Sequence, residues 1–135
     1  MPLIRYIYLY VITLLLLVIF DLIWVKFVMQ DLYETFVAIL RPEIHLLPVL
    51  VFYLVFSAGL LLFVVRPSLE MYAGSYAIAY GGLLGLLAYG TYGLTTYALL
   101  QDWPLLVSAF DTASGIVIGA LVSGASYFIG RKLWL

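Results

Sequence analysis

Four long apolar segments, separated by short polar ones, constrain the fold of this chain more than any other feature. They cover approximately residues 6–28, 46–65, 68–100 and 102–130. An α-helix rises 1.5 Å per residue, so about 20 apolar residues are needed to cross roughly 30 Å of hydrocarbon. Each segment meets that requirement, and the sequence therefore predicts an all-α integral membrane protein with four transmembrane helices.

The composition excludes an ordinary soluble domain. Hydrophobic residues make up 67% of the 135 residues and charged residues 10%, whereas soluble domains are about half apolar and a quarter charged. The net charge of −1 and the scattered basic residues give no phosphate-binding patch, so nucleic acid is not an expected partner. The lipid bilayer is the expected partner.

No motif indicates a cofactor or a metal site. The chain has no cysteine, which removes disulfides and zinc-thiolate sites. Glu34, Glu43 and the single histidine, His45, could form a metal site only if their loop folded over, and a solvated loop is the favoured interpretation. We predict no metal site.

The polar segments indicate how the four helices are connected. Residues 30–45 show helical spacing of apolar residues against acidic ones, which predicts a short interfacial helix between the first two spans. Arg66-Pro67 is expected to end the second span, with Ser68 as N-cap of the third. Asp102 is expected as N-cap of the fourth, followed by Pro104. Short connections predict an up-down four-helix bundle in a single domain, residues 1–135.

The distribution of basic residues predicts the orientation in the membrane. Four spans place both termini on one side, and that side collects most of the basic residues. By the positive-inside rule it is cytoplasmic, which predicts a multi-pass protein of the bacterial inner membrane with both termini in the cytoplasm. Arg41 and Lys26 lie toward the other side. The basic residues on the cytoplasmic side are Arg5, Arg66, Arg131 and Lys132.

Small residues recur at close-packing intervals on the last two spans. In lipid, where water does not drive association, small residues let helix backbones approach and gain dispersion contacts. Close packing of the third and fourth helices follows, either within one bundle or across a dimer. The residues are Gly81 and Gly85 on the third span and Gly115, Gly119 and Ser123 on the fourth.

Two acidic residues lie inside predicted spans, where a charge costs at least about 2.5–3.5 kcal/mol at the helix centre. Asp21 and Asp111 are each seven or eight residues from the same end of the bundle, which corresponds to about 12 Å of helix. The faces agree, because each of the two helices carries one stripe of mostly polar or small residues at steps of three and four. The stripes are Tyr6, Tyr10, Thr13, Leu17, Asp21 and Trp24 on the first span and Ser108, Asp111, Gly115, Gly119 and Ser123 on the fourth. A shared pocket is predicted, in which two nearby carboxyls in low dielectric would not both ionise, so that at least one would hold a proton near neutral pH.

Polar residues at the same depth extend this predicted pocket. They provide hydroxyl groups, and one indole, close to the two acids. The alternative is structural: each aspartate could be neutral, or hydrogen-bond to one of the tyrosines or threonines, and only fix helix register, and both interpretations stay open. The tryptophan is interpreted first as an interfacial anchor. The candidate ligand-binding or proton-binding residues besides the acids are Tyr53, Tyr92, Thr95, Thr96 and Trp24.

Several short motifs carry a family resemblance. They are Asp21-Leu22-Ile23-Trp24, Ala88-Tyr89-Gly90-Thr91-Tyr92, Leu94-Thr95 and the Trp103-Pro104 turn that leads to Asp111. In this order and spacing they resemble a family of small bacterial predicted membrane proteins catalogued as a domain of unknown function. The resemblance covers nearly the whole chain and implies four transmembrane helices, but no particular reaction.

Three functions are compatible with these features. The favoured one is proton-linked transport, or binding, of a small cationic or amphipathic ligand at Asp21 and Asp111. Because a 135-residue bundle has little interior, transport would call for a homodimer or larger complex. The second is an accessory subunit of a larger membrane complex that binds lipid, pigment or quinone. A lipid-modifying enzyme ranks last, because no cysteine, histidine cluster or nucleophile motif is present.

Overall fold

A computed structural model of the protein describes residues 3–29 and 46–134. Within them, four helical spans are long and apolar enough to cross a membrane, and the predicted all-α membrane bundle is confirmed. The predicted interfacial helix at 30–45 lies outside the described residues. The spans are Leu3–Phe27, Leu47–Glu70, Gly74–Leu99 and Leu105–Leu133.

Two of the spans contain a wider π-helical turn. The third and fourth spans are continuous α-helices, Gly74–Leu99 and Leu105–Trp134. The first is α-helical over Leu3–Trp24 and ends in a π-helical turn. The second passes from α-helix through a π-helical turn into a last α-helical turn. The π-helical turn of the first span is Val25–Met29. In the second span, the α-helix is Leu46–Leu60, the π-helical turn is Leu61–Val65 and the last α-helical turn is Arg66–Glu70.

The second span does not end at Arg66-Pro67, as the sequence predicted, but continues to Glu70. Proline lacks the N–H that an α-helical residue donates, and its ring crowds the preceding turn. The π-helical turn just before it has a wider hydrogen-bonding pattern, which accommodates the proline without stopping the helix. Ser68 is therefore not the N-cap of the third span. It is buried in the last turn of the second, where its hydroxyl donates to the Val65 carbonyl at 2.7 Å.

The turn into the third span contains a left-handed residue. Tyr72 has φ 54°, and the Ala73 N–H donates to the Ser68 carbonyl at 2.9 Å. This bond crosses the turn and satisfies a carbonyl that the end of the helix would leave free. The third helix then starts at Gly74.

The fourth helix begins at Leu105, and Asp102 is not its N-cap as predicted. Asp102 has φ 62° and lies in the turn before the helix, a backbone region that aspartate tolerates better than most residues. The Ser108 hydroxyl ties the helix start to the third span, because it donates to the Gly93 carbonyl at 2.6 Å. It also accepts the Trp103 indole N–H at 3.1 Å.

The third and fourth spans pack backbone against backbone at their small residues. A Cβ built on Gly85 would overlap the Gly115 carbonyl oxygen, and one built on Gly81 would overlap Gly119 and Ser123. These contacts lie within one chain. Glycine is required here by the closeness of the two backbones rather than by a special φ.

The four spans form an incomplete ring. In the described part of the chain, close backbone approaches join the first span to the second and to the fourth, and the third to the fourth. At the terminal end, residues 61–70 of the second span also approach the third and the fourth. The interior stripe of the first span recurs every four residues at Leu9, Thr13, Leu17 and Asp21, all buried. We call the end that carries the chain termini the terminal end, and the opposite end the distal end.

Among the described residues, two apolar clusters fill the interior between the spans. One lies toward the terminal end, where Leu9 meets Val65 and Tyr127, and the other lies further toward the distal end, where Leu17 meets Phe56 and Ile118. Between these levels, Thr13 donates from its buried hydroxyl to Ser126 at 3.1 Å. The second cluster includes Tyr53, whose hydroxyl bonds to Asp21, so it extends to the level of the carboxyl groups inside the spans.

Candidate ligand-binding site

A cavity of about 740 Å³ lies between the spans near the distal end. All four spans contribute to its wall, which combines two carboxyl groups with aromatic rings and small apolar groups. The first span supplies Asp21 and Val25, the second Pro48, Val49, Phe52 and Tyr53, the third Ala88, Tyr89 and Tyr92, and the fourth Asp111.

Two phenol groups hold the Asp21 carboxyl. The Tyr53 hydroxyl donates to Oδ2 at 2.5 Å, and the Tyr89 hydroxyl donates to Oδ1 at 3.1 Å. The second and third spans thus each provide one donor to an acid on the first. Because both oxygens accept a bond, the orientation of the carboxyl plane is fixed while lone pairs remain for a ligand.

Asp111 reaches the same cavity from the fourth span and is also buried. Its position depends on Gly93, where a Cβ would lie 3.1 Å from the Ser108 carbonyl and 3.6 Å from the Asp111 Cβ. The bare backbone of Gly93 therefore lets the fourth span come close to the third at this level. The Tyr89 phenol, which bonds to Asp21, lines the same cavity as Asp111.

Aromatic rings form one side of the site. The ring centroids of Phe52 and Tyr89 are 5.6 Å apart in an edge-to-face arrangement, and those of Phe56 and Tyr89 are 5.8 Å apart. Phe52 also stacks on Phe56 at 5.3 Å. Ring faces attract cations through their quadrupole, and the attraction grows when water is excluded. Carboxyls and rings together suit a cation that also has apolar surface.

The sequence-predicted site residues divide into two groups in the structure. Asp21, Asp111, Tyr53 and Tyr92 line the cavity, whereas the other three are not among the residues that line it. Thr95 is exposed, Thr96 is half-buried, and Trp24 packs against the apolar cluster around Leu17.

Tyr89 is the cavity residue with the clearest chemical role that the sequence-derived set omits. Its hydroxyl is inside the span and needs an acceptor there, since a buried phenol usually has a partner. Tyr89 is one turn from Tyr92, and Asp21 is the acid at that depth. These two observations could have identified Tyr89 as a site residue from the sequence. The apolar lining residues, such as Phe52, carry no comparable signal in the sequence.

The described residues hold no group of three histidine, cysteine, aspartate or glutamate side chains that could bind a metal ion. Glu34, Glu43 and His45, the alternative metal ligands suggested by the sequence, are outside the described residues. The described residues that line the cavity offer carboxyl, phenol and ring groups beside small apolar ones.

A four-helix bundle with an apolar exterior and a carboxyl-containing cavity inside one end defines a multi-pass membrane protein in contact with the lipid bilayer. The chain belongs to the family described as Predicted membrane protein (DUF2177), whose profile matches residues 6–128. No curated protein and no solved structure is significantly similar to it.

Proposed function

We propose that the protein binds a small cationic or amphipathic ligand at Asp21 and Asp111 and exchanges it for protons across the membrane. The observation that carries this proposal is the placement of both carboxyls in one cavity with aromatic walls. Acids inside a membrane span are costly and are functional candidates for that reason. A cation would offset that cost through charge and ring contacts together.

Proton exchange follows from the chemistry of the acids. A carboxyl that holds a proton offers little to a cation, so proton and ligand compete for the same oxygens. Two acids in one low-dielectric cavity strengthen this competition, because their mutual repulsion favours either a proton or a cation between them. Transport by a homodimer stays a prediction.

Isothermal titration of the purified protein with tetraphenylphosphonium tests this function. This probe is a membrane-permeant organic cation that offers no hydrogen-bond donor, so charge, ring contacts and burial of its apolar surface must bind it. We expect one bound cation per chain and an apparent affinity that falls toward low pH, by up to about tenfold per pH unit where the acids titrate. Absence of saturable binding, or binding that does not depend on pH, would contradict the proposal.

The phenol donors give a second prediction. Tyr53→Phe removes the 2.5 Å donor to Asp21, which loosens the carboxyl and lets protons compete better for it. We expect tetraphenylphosphonium affinity to fall about tenfold, or about 1.4 kcal/mol, the size of one hydrogen bond to a charged group. Tyr97→Phe, at an exposed tyrosine of the third span that does not line the cavity, is the matched control and should bind normally. Equal affinities in the Tyr53 and Tyr97 variants would show that the Tyr53 hydroxyl does not contribute to ligand binding.

We also propose that both termini lie in the cytoplasm of a bacterium, which puts the cavity on the periplasmic side of the inner membrane. The Arg66 guanidinium lies 5.4 Å from the centroid of the Tyr6 ring, at the terminal end. Arg131 and Lys132 are in the last turn of the fourth span, at the same end. Basic residues gathered at one end favour the cytoplasmic side.

Reporter fusions test the orientation. A green fluorescent protein fused after the last residue should fluoresce, and alkaline phosphatase at the same place should be inactive. Alkaline phosphatase fused after Gln101, in the turn at the distal end, should be active, whereas a fusion after Met71, in the turn at the terminal end, should match the C-terminal one. The reverse pattern would invert the membrane orientation.

A further inference from the structure

We infer that the ligand is a single-chain cationic amphiphile that enters the cavity from the hydrocarbon, between the distal halves of the second and third spans. The inference rests on the proposed function and names its substrate class. A headgroup cation would lie between Asp21 and Asp111, and the alkyl chain would extend toward the lipid.

The ring of spans has its gap at this position. In the described part of the chain, Leu46–Leu60 approaches the first span closely, and the third span approaches the fourth along its length. The third span meets the second closely at residues 61–70, near the terminal end. Comparable backbone approach is lacking between Leu46–Leu60 and the third span. The second and third spans therefore diverge toward the distal end, and the cavity lies between them.

Side chains rather than backbones bridge the gap. Phe52 and Phe56 from the second span meet the ring of Tyr89 from the third, with centroids 5.6 and 5.8 Å apart. Phe52 is 37% exposed and Tyr92 is 53% exposed, and both line the cavity. Exposed aromatic side chains such as Phe52 and Tyr92 change rotamer far faster than helices move, so the outer part of this boundary can open without rearrangement of the bundle.

The opening lies within the depth of the hydrocarbon. Phe52 is five residues inside the start of the second span at Leu47, and Tyr92 is seven residues inside the end of the third at Leu99. At 1.5 Å per residue these positions are about 8 and 10 Å below the ends of the spans. A molecule that passes between them comes from among acyl chains, which selects compounds that already partition into lipid.

The cavity has its acidic groups on one side and mainly apolar groups on the other, which matches a molecule with a cationic head and an apolar chain. The two carboxyls come from the first and fourth spans, on the side away from the gap, whereas the second and third spans contribute mainly rings and small apolar groups. A molecule that enters through the gap headgroup first would meet the acids with its cation. Its chain would stay against Phe52 and Tyr92.

Competition and photolabelling in lipid nanodiscs test the inference. Dodecyltrimethylammonium has headgroup and chain, tetramethylammonium has the headgroup alone, and octaethylene glycol monododecyl ether has the chain without charge. We expect the first to displace tetraphenylphosphonium at a membrane mole fraction at least tenfold below that of the neutral ether, and tetramethylammonium to displace little. A dodecyltrimethylammonium analogue with a diazirine in its chain should label the distal halves of the second and third spans.

Labelling at these positions should disappear with Asp21→Asn and persist with Asp102→Asn, which changes an exposed aspartate in the 100–104 turn. Labelling spread over lipid-facing residues of all four spans, or unaffected by Asp21→Asn, would overturn the inference. If tetraphenylphosphonium binds in an Asp21-dependent way while the alkylammonium neither competes nor labels, the substrate class is wrong and the cation site stands. If neither cation binds, the proposed function fails as well.

Discussion

Asparagine in place of Asp21 should lower the affinity for tetraphenylphosphonium at least 100-fold, equivalent to about 2.7 kcal/mol. Asparagine keeps the shape of the side chain and an oxygen that can accept the Tyr53 or Tyr89 hydroxyl, but it removes the negative charge. Asp21 is 9% exposed, so water screens its charge weakly and the loss is large. Isothermal titration of the wild type and the variant measures the effect.

Asp102→Asn is the matched control, because it makes the same chemical change at an exposed position outside the cavity. Its backbone has φ 62°, a conformation that asparagine also tolerates. We expect its affinity to stay within about twofold of the wild type, well under 1 kcal/mol. Wild-type affinity in Asp21→Asn, with the protein folded, would contradict the role of Asp21.

Asp111→Asn tests whether the acids act as a pair. In proteoliposomes, both variants should abolish the protein-dependent part of the proton flux that a tetraphenylphosphonium gradient drives, that is, the excess over protein-free liposomes. If only Asp21→Asn has an effect, the ligand uses one carboxyl and Asp111 has a structural role. Unchanged flux in both variants would refute proton-coupled transport.

Alanine in place of Gly85 should destabilise the bundle strongly, although the change adds only one methyl group. The added Cβ would overlap the Gly115 carbonyl, which belongs to the backbone and cannot rotate away. The third and fourth helices would have to separate, at a cost of about 1–3 kcal/mol for an overpacked site. Unfolding in mixed detergent and SDS micelles, followed by circular dichroism, measures the loss.

Gly90→Ala provides the control for this change on the same span. A Cβ there would lie 3.5 Å from Thr112 Cγ2, which is ordinary contact. Since alanine forms helix more readily than glycine, by about 1 kcal/mol, we expect no loss and a small gain in stability. Equal stability of the Gly85 and Gly90 variants would show that the third and fourth spans do not pack with their backbones in contact.

The number and type of helices follow from hydrophobicity alone, because the bilayer leaves few other solutions for segments of this length. Helix ends were harder to predict. Pro67 is normally a stop signal, and the sequence around it does not reveal the π-helical turn at Leu61–Val65 that accommodates it. The sequence therefore predicts an end of the second span near Val65, whereas the helix continues to Glu70, and it wrongly indicates Ser68 as the N-cap of the third span.

The depth of the polar residues in the membrane was predictable from the sequence. Which of them face the cavity was less predictable. Helical rise places Asp21, Tyr53, Tyr92 and Asp111 near one level, and all four line one cavity. Thr95 and Thr96 are about one turn from Tyr92, yet neither of them lines the cavity. A helix position fixes depth well, but the divergence of the second and third spans decides which faces border the cavity. That divergence depends on packing between distant residues.

A crystal structure with tetraphenylarsonium bound tests the central claim most directly, because arsenic gives an anomalous signal that marks the cation. We predict one anomalous peak inside the cavity, between Asp21 and Asp111 and against the rings of Phe52 and Tyr89. A peak at another place, or carboxyls that face separate surroundings with no shared space for the cation, would contradict the claim.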